Sequence, residues 1–132
     1  MRSGFTFKAA EKSMSMTIYH NPRCSKSRKT LELIQEAGVS PTIVDYLSEP
    51  PSAARILQLA DLLGSSVMEL LRRNEADFRD ATDLPALDDN AALAAWVEAH
   101  PKVLERPIVV DDDANKAIMG RPPENVQDLL PG

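Results

Sequence analysis

Thr17-Ile18-Tyr19-His20-Asn21-Pro22-Arg23-Cys24-Ser25-Lys26-Ser27-Arg28-Lys29-Thr30-Leu31 is the stretch on which the fold turns. Thr17 to His20 is β-branched and aromatic, the composition of a short buried strand. Asn21-Pro22-Arg23-Cys24 follows as a turn. From about Ser25 to Ala37 the pattern is helical: Leu31 and Ile34 repeat at helical spacing, Leu33 widens the face, and Gly38 is a natural stop. Thr42 to Leu47 is strand-like again. Strand, helix and strand in about thirty residues predict a βαβ unit with parallel strands and a right-handed crossover.

Downstream, Pro50-Pro51-Ser52 opens a helix with Ser52 as N-cap, Ile56, Leu59, Ala60 and Leu63 on one face, and Gly64 at its end. Ser66 starts a short helix through Leu70 and Leu71 toward Asn74. Glu75 to Asp89 is acidic and irregular, and reads as a mobile surface segment without catalytic residues. Asn90 to Ala99 is helical, with Leu93, Trp96 and Val97 as its apolar face. Pro107-Ile108-Val109-Val110 and Lys116 to Met119 flank an acidic turn and predict a β-hairpin with a loop of about five residues. Arg121-Pro122-Pro123-Glu124 leads into a last helix that turns Val126, Leu129 and Leu130 inward. The order βαβ, helices, ββα predicts an α/β chain. Its plan is the thioredoxin-like fold, with a four-stranded mixed sheet and a helical insert between the halves. One domain is expected over 16–132. Residues 1–15 lack the apolar stretch of a cleavable signal and read as a flexible extension.

Bulk properties exclude several functions. At 132 residues there is room for one domain. The net charge of −5 comes with no basic stripe, which disfavours nucleic acid. No apolar run approaches the roughly 20 residues of a membrane span. The single cysteine cannot form an internal disulfide, which suits a reducing, cytoplasmic setting. His20 and His100 lie in no metal-ligand spacing with it, so no metal is expected.

Cys24 stands where the first strand hands over to the first helix. Helix N-termini leave amides unpaired and carry partial positive charge, so a thiol there is favoured as thiolate and an anion is favoured beside it. Arg23, Lys26 and Arg28 add positive potential. A Cys-x-x-Cys pair is absent, because its second position is Ser27. A phosphatase-like loop is absent too, because the position for its arginine is Thr30. Ser27 is a candidate donor to the thiolate, and His20 a candidate for tuning it or relaying a proton.

Five ordered segments carry a family resemblance: Ile18 to Leu31, Tyr46-Leu47-Ser48-Glu49-Pro50-Pro51, Leu70-Leu71-Arg72-Arg73-Asn74, Arg106-Pro107-Ile108-Val109-Val110, and Met119-Gly120-Arg121-Pro122-Pro123. Together they resemble the glutaredoxin-coupled arsenate reductases, the ArsC family, from about Met16 to the C-terminus. The resemblance implies that Cys24 is the nucleophile, with His20 before it and Ser27 supporting it. It places three anion-binding arginines on Arg72, Arg106 and Arg121, and makes Pro107 a cis proline facing the nucleophile. Arg73, taken alone, reads as a solvated surface charge. The resemblance further implies reduction of arsenate to arsenite through a cysteine–arsenate adduct. Glutathione would be the co-substrate, glutaredoxin the protein partner, and no cofactor would be tightly bound. Residue chemistry agrees, since arginine forks match a tetrahedral oxyanion bidentately and keep their charge. Two rival readings share the fold. One is an Spx-type transcription regulator that binds RNA polymerase, which typically carries the Cys-x-x-Cys switch that Ser27 interrupts. The other is a general glutathione-dependent thiol transferase, which would have no anionic substrate for three arginines.

Overall fold

β1 (Met16–His20) is the strand predicted from Thr17-Ile18-Tyr19-His20, and Met16 and Ile18 are buried along it. The computed structural model describes residues 15–131; the predicted extension over 1–15 lies outside them, apart from Ser15. Ser15 is stitched to the distant hairpin turn. Its amide donates to Asp113 Oδ2 at 3.0 Å, and its carbonyl accepts from the Asp112 amide at 2.8 Å.

Helix α1 (Ser25–Glu36) follows, with Cys24 as its N-cap residue in an extended conformation. Ser27, Thr30 and Ile34 form its buried side. It ends where predicted. Gly38 takes a φ of +84°, which lets the Gly38 and Val39 amides reach back to the carbonyls of Gln35 and Ile34. β2 (Thr42–Asp45) is shorter than the expected 42–47. The Asp45 carboxylate accepts the Leu47 amide and its carbonyl accepts those of Ser48 and Glu49, so the chain turns instead of extending. β3 (Ile108–Asp111) and β4 (Lys116–Met119) make the expected hairpin, with Asn115 at φ 55° in its loop.

The sheet order is β2-β1-β3-β4, the mixed thioredoxin-like sheet. β1 pairs antiparallel with β3, Ile18 opposite Val109, and β3 pairs antiparallel with β4, Val109 opposite Ile118. Met16, Ile18, Ile34, Val39, Val109, Val126 and Leu129 share one buried cluster. The last helix is a 3-10 helix, Pro123–Leu129, rather than an α-helix. Val126 and Leu129 are three apart, so three residues per turn puts both on the buried side.

By contacts the chain divides into two bodies. The sheet body runs up to Val44 and resumes at Arg106; the second body is Asp45–Glu105. The second body holds α2 (Ala53–Leu62), α3 (Ala76–Arg79) and α4 (Asn90–Ala99). Ser52 caps α2 by accepting the Arg55 amide at 3.1 Å, and Asp89 caps α4 by accepting that of Ala92 at 3.1 Å. Ile56, Leu59 and Ala60 pack with Leu93, Trp96 and Val97 as the α2 and α4 faces meet.

Two expectations are corrected in this second body. The helix expected from Ser66 toward Asn74 is only a 3-10 turn, Met68–Leu70. Leu71 leaves it to bridge Leu104, with the Arg72 amide donating to the Val103 carbonyl and that of Glu105 to the Leu70 carbonyl. A long-range ladder thus outbids local propensity. The acidic stretch is not irregular throughout: it holds α3, and Asp83 accepts from Trp96 Nε1 at 3.0 Å. Among the described residues, no helix is long and apolar enough to cross a membrane.

Gly120, which ends β4, is the tightest point of the sheet body. Its amide donates to the Pro107 carbonyl at 2.8 Å. A Cβ there would lie 2.7 Å from both Pro107 Cγ and Thr30 Oγ1. Pro107 and Thr30 are themselves buried, so neither has room to give way. Gly120→Ala is therefore expected to cost about 1–3 kcal/mol of stability, the range for overpacking a core. Urea unfolding reads this directly, and an unchanged midpoint would show that the contact yields freely.

Candidate active site

Cys24 is half-buried at the N-terminus of α1, the position predicted for it. The Cys24 carbonyl accepts the Arg28 amide at 3.0 Å, the first turn of the helix. No acidic residue occupies that turn, so nothing there repels a thiolate or an incoming anion. Partial burial pushes the thiol up. The backbone amides of Ser27 and Lys26 and the hydrogen bond and charge of Arg106 push it down, and the downward causes win.

Two of the three predicted arginines reach this point. Arg106 stands beside the sulfur as just described. Arg121 Nη1 lies 4.0 Å from Cys24 Sγ and donates to the Arg106 carbonyl at 3.2 Å. The Arg121 side chain thus braces the Arg106 backbone while both guanidinium groups act on the thiol. Their placement follows from the backbone. Arg106 precedes Pro107, whose peptide bond is cis as the resemblance implied, and Arg121 follows Gly120. A second cis bond, Arg121–Pro122, was not anticipated. The sequence there reads equally well as an ordinary proline entry to a helix.

Arg72 belongs to the second body. Its Nη1 pairs with Glu75 Oε2 at 3.1 Å and its Nε with Glu105 Oε1 at 3.6 Å. Arg73 is exposed, in keeping with a surface reading.

The Ser27 hydroxyl is directed differently from the donor role considered for it. It sits 2.6 Å from His20 Nδ1 and accepts the Asn21 amide at 3.1 Å, while its own backbone amide serves the thiol. His20 is buried and reaches the Cys24 turn through that hydroxyl. Asn21 escaped the sequence reading as a contributor. Its Oδ1 accepts the Arg23 amide at 2.9 Å and its carbonyl accepts that of Cys24 at 3.0 Å. An Asn-Pro step two residues before a functional position was the available signal.

The ArsC family model matches residues 19–129. The uncharacterized protein YfgD of Escherichia coli K12 is 45% identical over 115 residues, covering 86% of this chain and 94% of that protein. An arsenate reductase from Escherichia coli is 39% identical over 117 residues, covering 89% and 82%. The solved structure of an arsenate reductase from Vibrio cholerae superposes with a TM-score of 0.81 at 39% identity, covering 89% of this chain and 99% of that one.

The balance at Cys24 makes a direct test. Alkylation by iodoacetamide against pH is expected to show a midpoint below the free-thiol value of about 8.5. Arg106→Gln should raise that midpoint. Because the folded thiol titrates below the unfolded one, this contribution to stability is complete above the unfolded pKa. It disappears as pH falls through the folded pKa. A wild-type midpoint at or above about 8.5 would refute the assignment.

Proposed function

This chain belongs to the ArsC family, and from that footing we propose that it is an oxidoreductase that reduces arsenate to arsenite with electrons from glutathione and glutaredoxin. The observation that carries the proposal is the convergence of Arg106 and Arg121 on a thiol held below its ordinary pKa. A lowered thiol alone would serve any thiol chemistry. Two guanidinium groups beside it favour a substrate that carries negative oxygens.

In the proposed sequence, the Cys24 thiolate attacks arsenic and a protonated arsenate oxygen leaves as water or hydroxide. The glutathione thiolate then bonds to arsenic with loss of a second oxygen as water. A glutaredoxin thiolate attacks the glutathione sulfur, so a disulfide forms and the sulfur–arsenic bond breaks. The electron pair of that bond stays on arsenic, which falls from As(V) to As(III). Water finally displaces the Cys24 thiolate and arsenite departs. Arg106 and Arg121 would hold the arsenate oxygens and offset charge as it develops. The Ser27 and Lys26 amides would keep Cys24 ionised as both nucleophile and leaving group. His20 and Ser27 would support the turn and supply a proton path.

Arg72 enters the proposed anion set through its correspondence with the family's arginine. Its guanidinium is engaged by Glu75 and Glu105, so an anion would have to compete with two carboxylates for it. With one cysteine in the chain, reducing equivalents must come from outside, which suits a cytoplasm rich in glutathione.

The test is arsenate-dependent NADPH oxidation in the presence of glutathione, glutaredoxin and glutathione reductase. Cys24→Ser is expected to abolish it. Arg106→Lys keeps the charge but loses the fork, and should lower kcat/KM by about 2 kcal/mol, roughly 30-fold. NADPH oxidation with a mixed-disulfide substrate but none with arsenate would overturn the proposal in favour of a thiol transferase.

A further inference from the structure

We propose that Asn21 is the positioning residue for Cys24: it turns the amides that precede α1 away from the sulfur and locks the turn, so that the thiol faces the helix's own first-turn amides. This rests on Cys24 as the nucleophile, but not on arsenate as the substrate.

Asn21 ends the turn's approach from β1 and is only 9% exposed. It holds the loop at three points. Its Oδ1 accepts the Arg23 amide at 2.9 Å. Its carbonyl accepts the Cys24 amide at 3.0 Å. Its amide donates to Ser27 Oγ at 3.1 Å, the hydroxyl that also meets His20 Nδ1 at 2.6 Å. Pro22, between Asn21 and Arg23, has no amide to offer. Ahead of the helix, then, the amides of Arg23 and Cys24 are both committed to Asn21. Those that act on the sulfur are from Lys26 and Ser27, the second and third helical positions. These are the positions whose amides an N-cap side chain normally receives.

The side chain of Asn21 is the replaceable part of this arrangement. Oδ1 closing on the amide two residues ahead is an Asx-turn, and it sets the direction in which Arg23 and Cys24 leave the strand. Without it the partly buried Arg23 amide loses its acceptor, and the chain must rotate to find another. Any such rotation moves Cys24 from its φ of −94° and ψ of 122° and shifts the sulfur relative to the Lys26 and Ser27 amides. The number and sign of the charges around the thiol would be unchanged: Arg106 and Arg121 from the hairpin ends, Arg23 in the turn, Lys26 and Arg28 on α1, and His20 behind Ser27. A shift in thiol titration would thus report on the geometry of the turn rather than on a charge added or removed.

The experiment is iodoacetamide alkylation against pH on the full chain, for wild type, Asn21→Ala and Asn21→Ser. Asn21→Ala is expected to raise the midpoint by about one pH unit, which lowers the alkylation rate about tenfold at a pH well below both midpoints. Asn21→Ser should fall between Ala and wild type, because a serine hydroxyl makes the weaker form of the same turn. A residue that merely fills space would lower the melting temperature without moving the midpoint. An Asn21→Ala midpoint equal to wild type, or a Ser midpoint as high as Ala, would overturn the assignment. If Asn21→Ala does not fold, Asn21→Ser alone decides: a raised midpoint supports the role and an unchanged one refutes it. Alkylation needs neither arsenate nor glutaredoxin, so failure here and failure of the arsenate assay are separate results.

Discussion

Gly120 approaching Pro107 and Thr30 is the contact on which the site depends. Three stretches distant in sequence meet there, and each has a site residue as neighbour or within a turn. Pro107 follows Arg106, Gly120 precedes Arg121, and Thr30 lies on the helix that Cys24 caps. The hydrogen bond from the Gly120 amide to the Pro107 carbonyl closes the contact, and Thr30 Oγ1 is itself tied to the Lys26 carbonyl at 2.8 Å. Because no side chain intervenes at Gly120, the ends of β3 and β4 can lie against α1. Two cations thereby arrive beside the thiol as a consequence of backbone packing, with the bond from Arg121 to the Arg106 carbonyl as the final tie.

The electrostatics at Cys24 are a contest between modest effects. The whole chain is negative, and burial opposes ionisation of the thiol. What prevails is local: two amides, one guanidinium, and a first helical turn without acidic residues. Such short-range causes survive screening by salt better than a long-range field does, because they act within a few ångströms on a partly buried atom. A net negative protein can therefore present a positive site.

Much of this was legible in the sequence where local pattern and local physics coincide. The β-branched and aromatic run of Thr17 to His20, the stop at Gly38, the cap at Ser52, and the thiol at the start of a helix all follow from residues within a few positions of one another. Arg106 and Arg121 were reachable only through the family resemblance, since one arginine among solvated charges carries no local mark. The misses have a common cause. Leu71 abandons its helix for Leu104, and Asp83 fixes an acidic stretch through Trp96, both because of partners far along the chain. Asn21 was missed for the opposite reason. Its bonds are local, but an Asn-Pro turn looks the same whether it merely reverses the chain or aims a sulfur.

Trp96, the sole tryptophan, is held by three side chains. Phe78 meets it edge-on at 6.2 Å, His100 stacks on it at 4.1 Å, and Asp83 holds its nitrogen. All four residues belong to the second body. Ultraviolet-excited indole emission from this protein therefore has a single, uniquely located origin, and its colour and lifetime describe the packing around one ring. The imidazole of His100 lies flat against that ring, so the signal reports how that pair is stacked. The molecule thus carries a built-in spectroscopic gauge of its helical insert, readable without any label on the one cysteine that a chemist would otherwise have to modify.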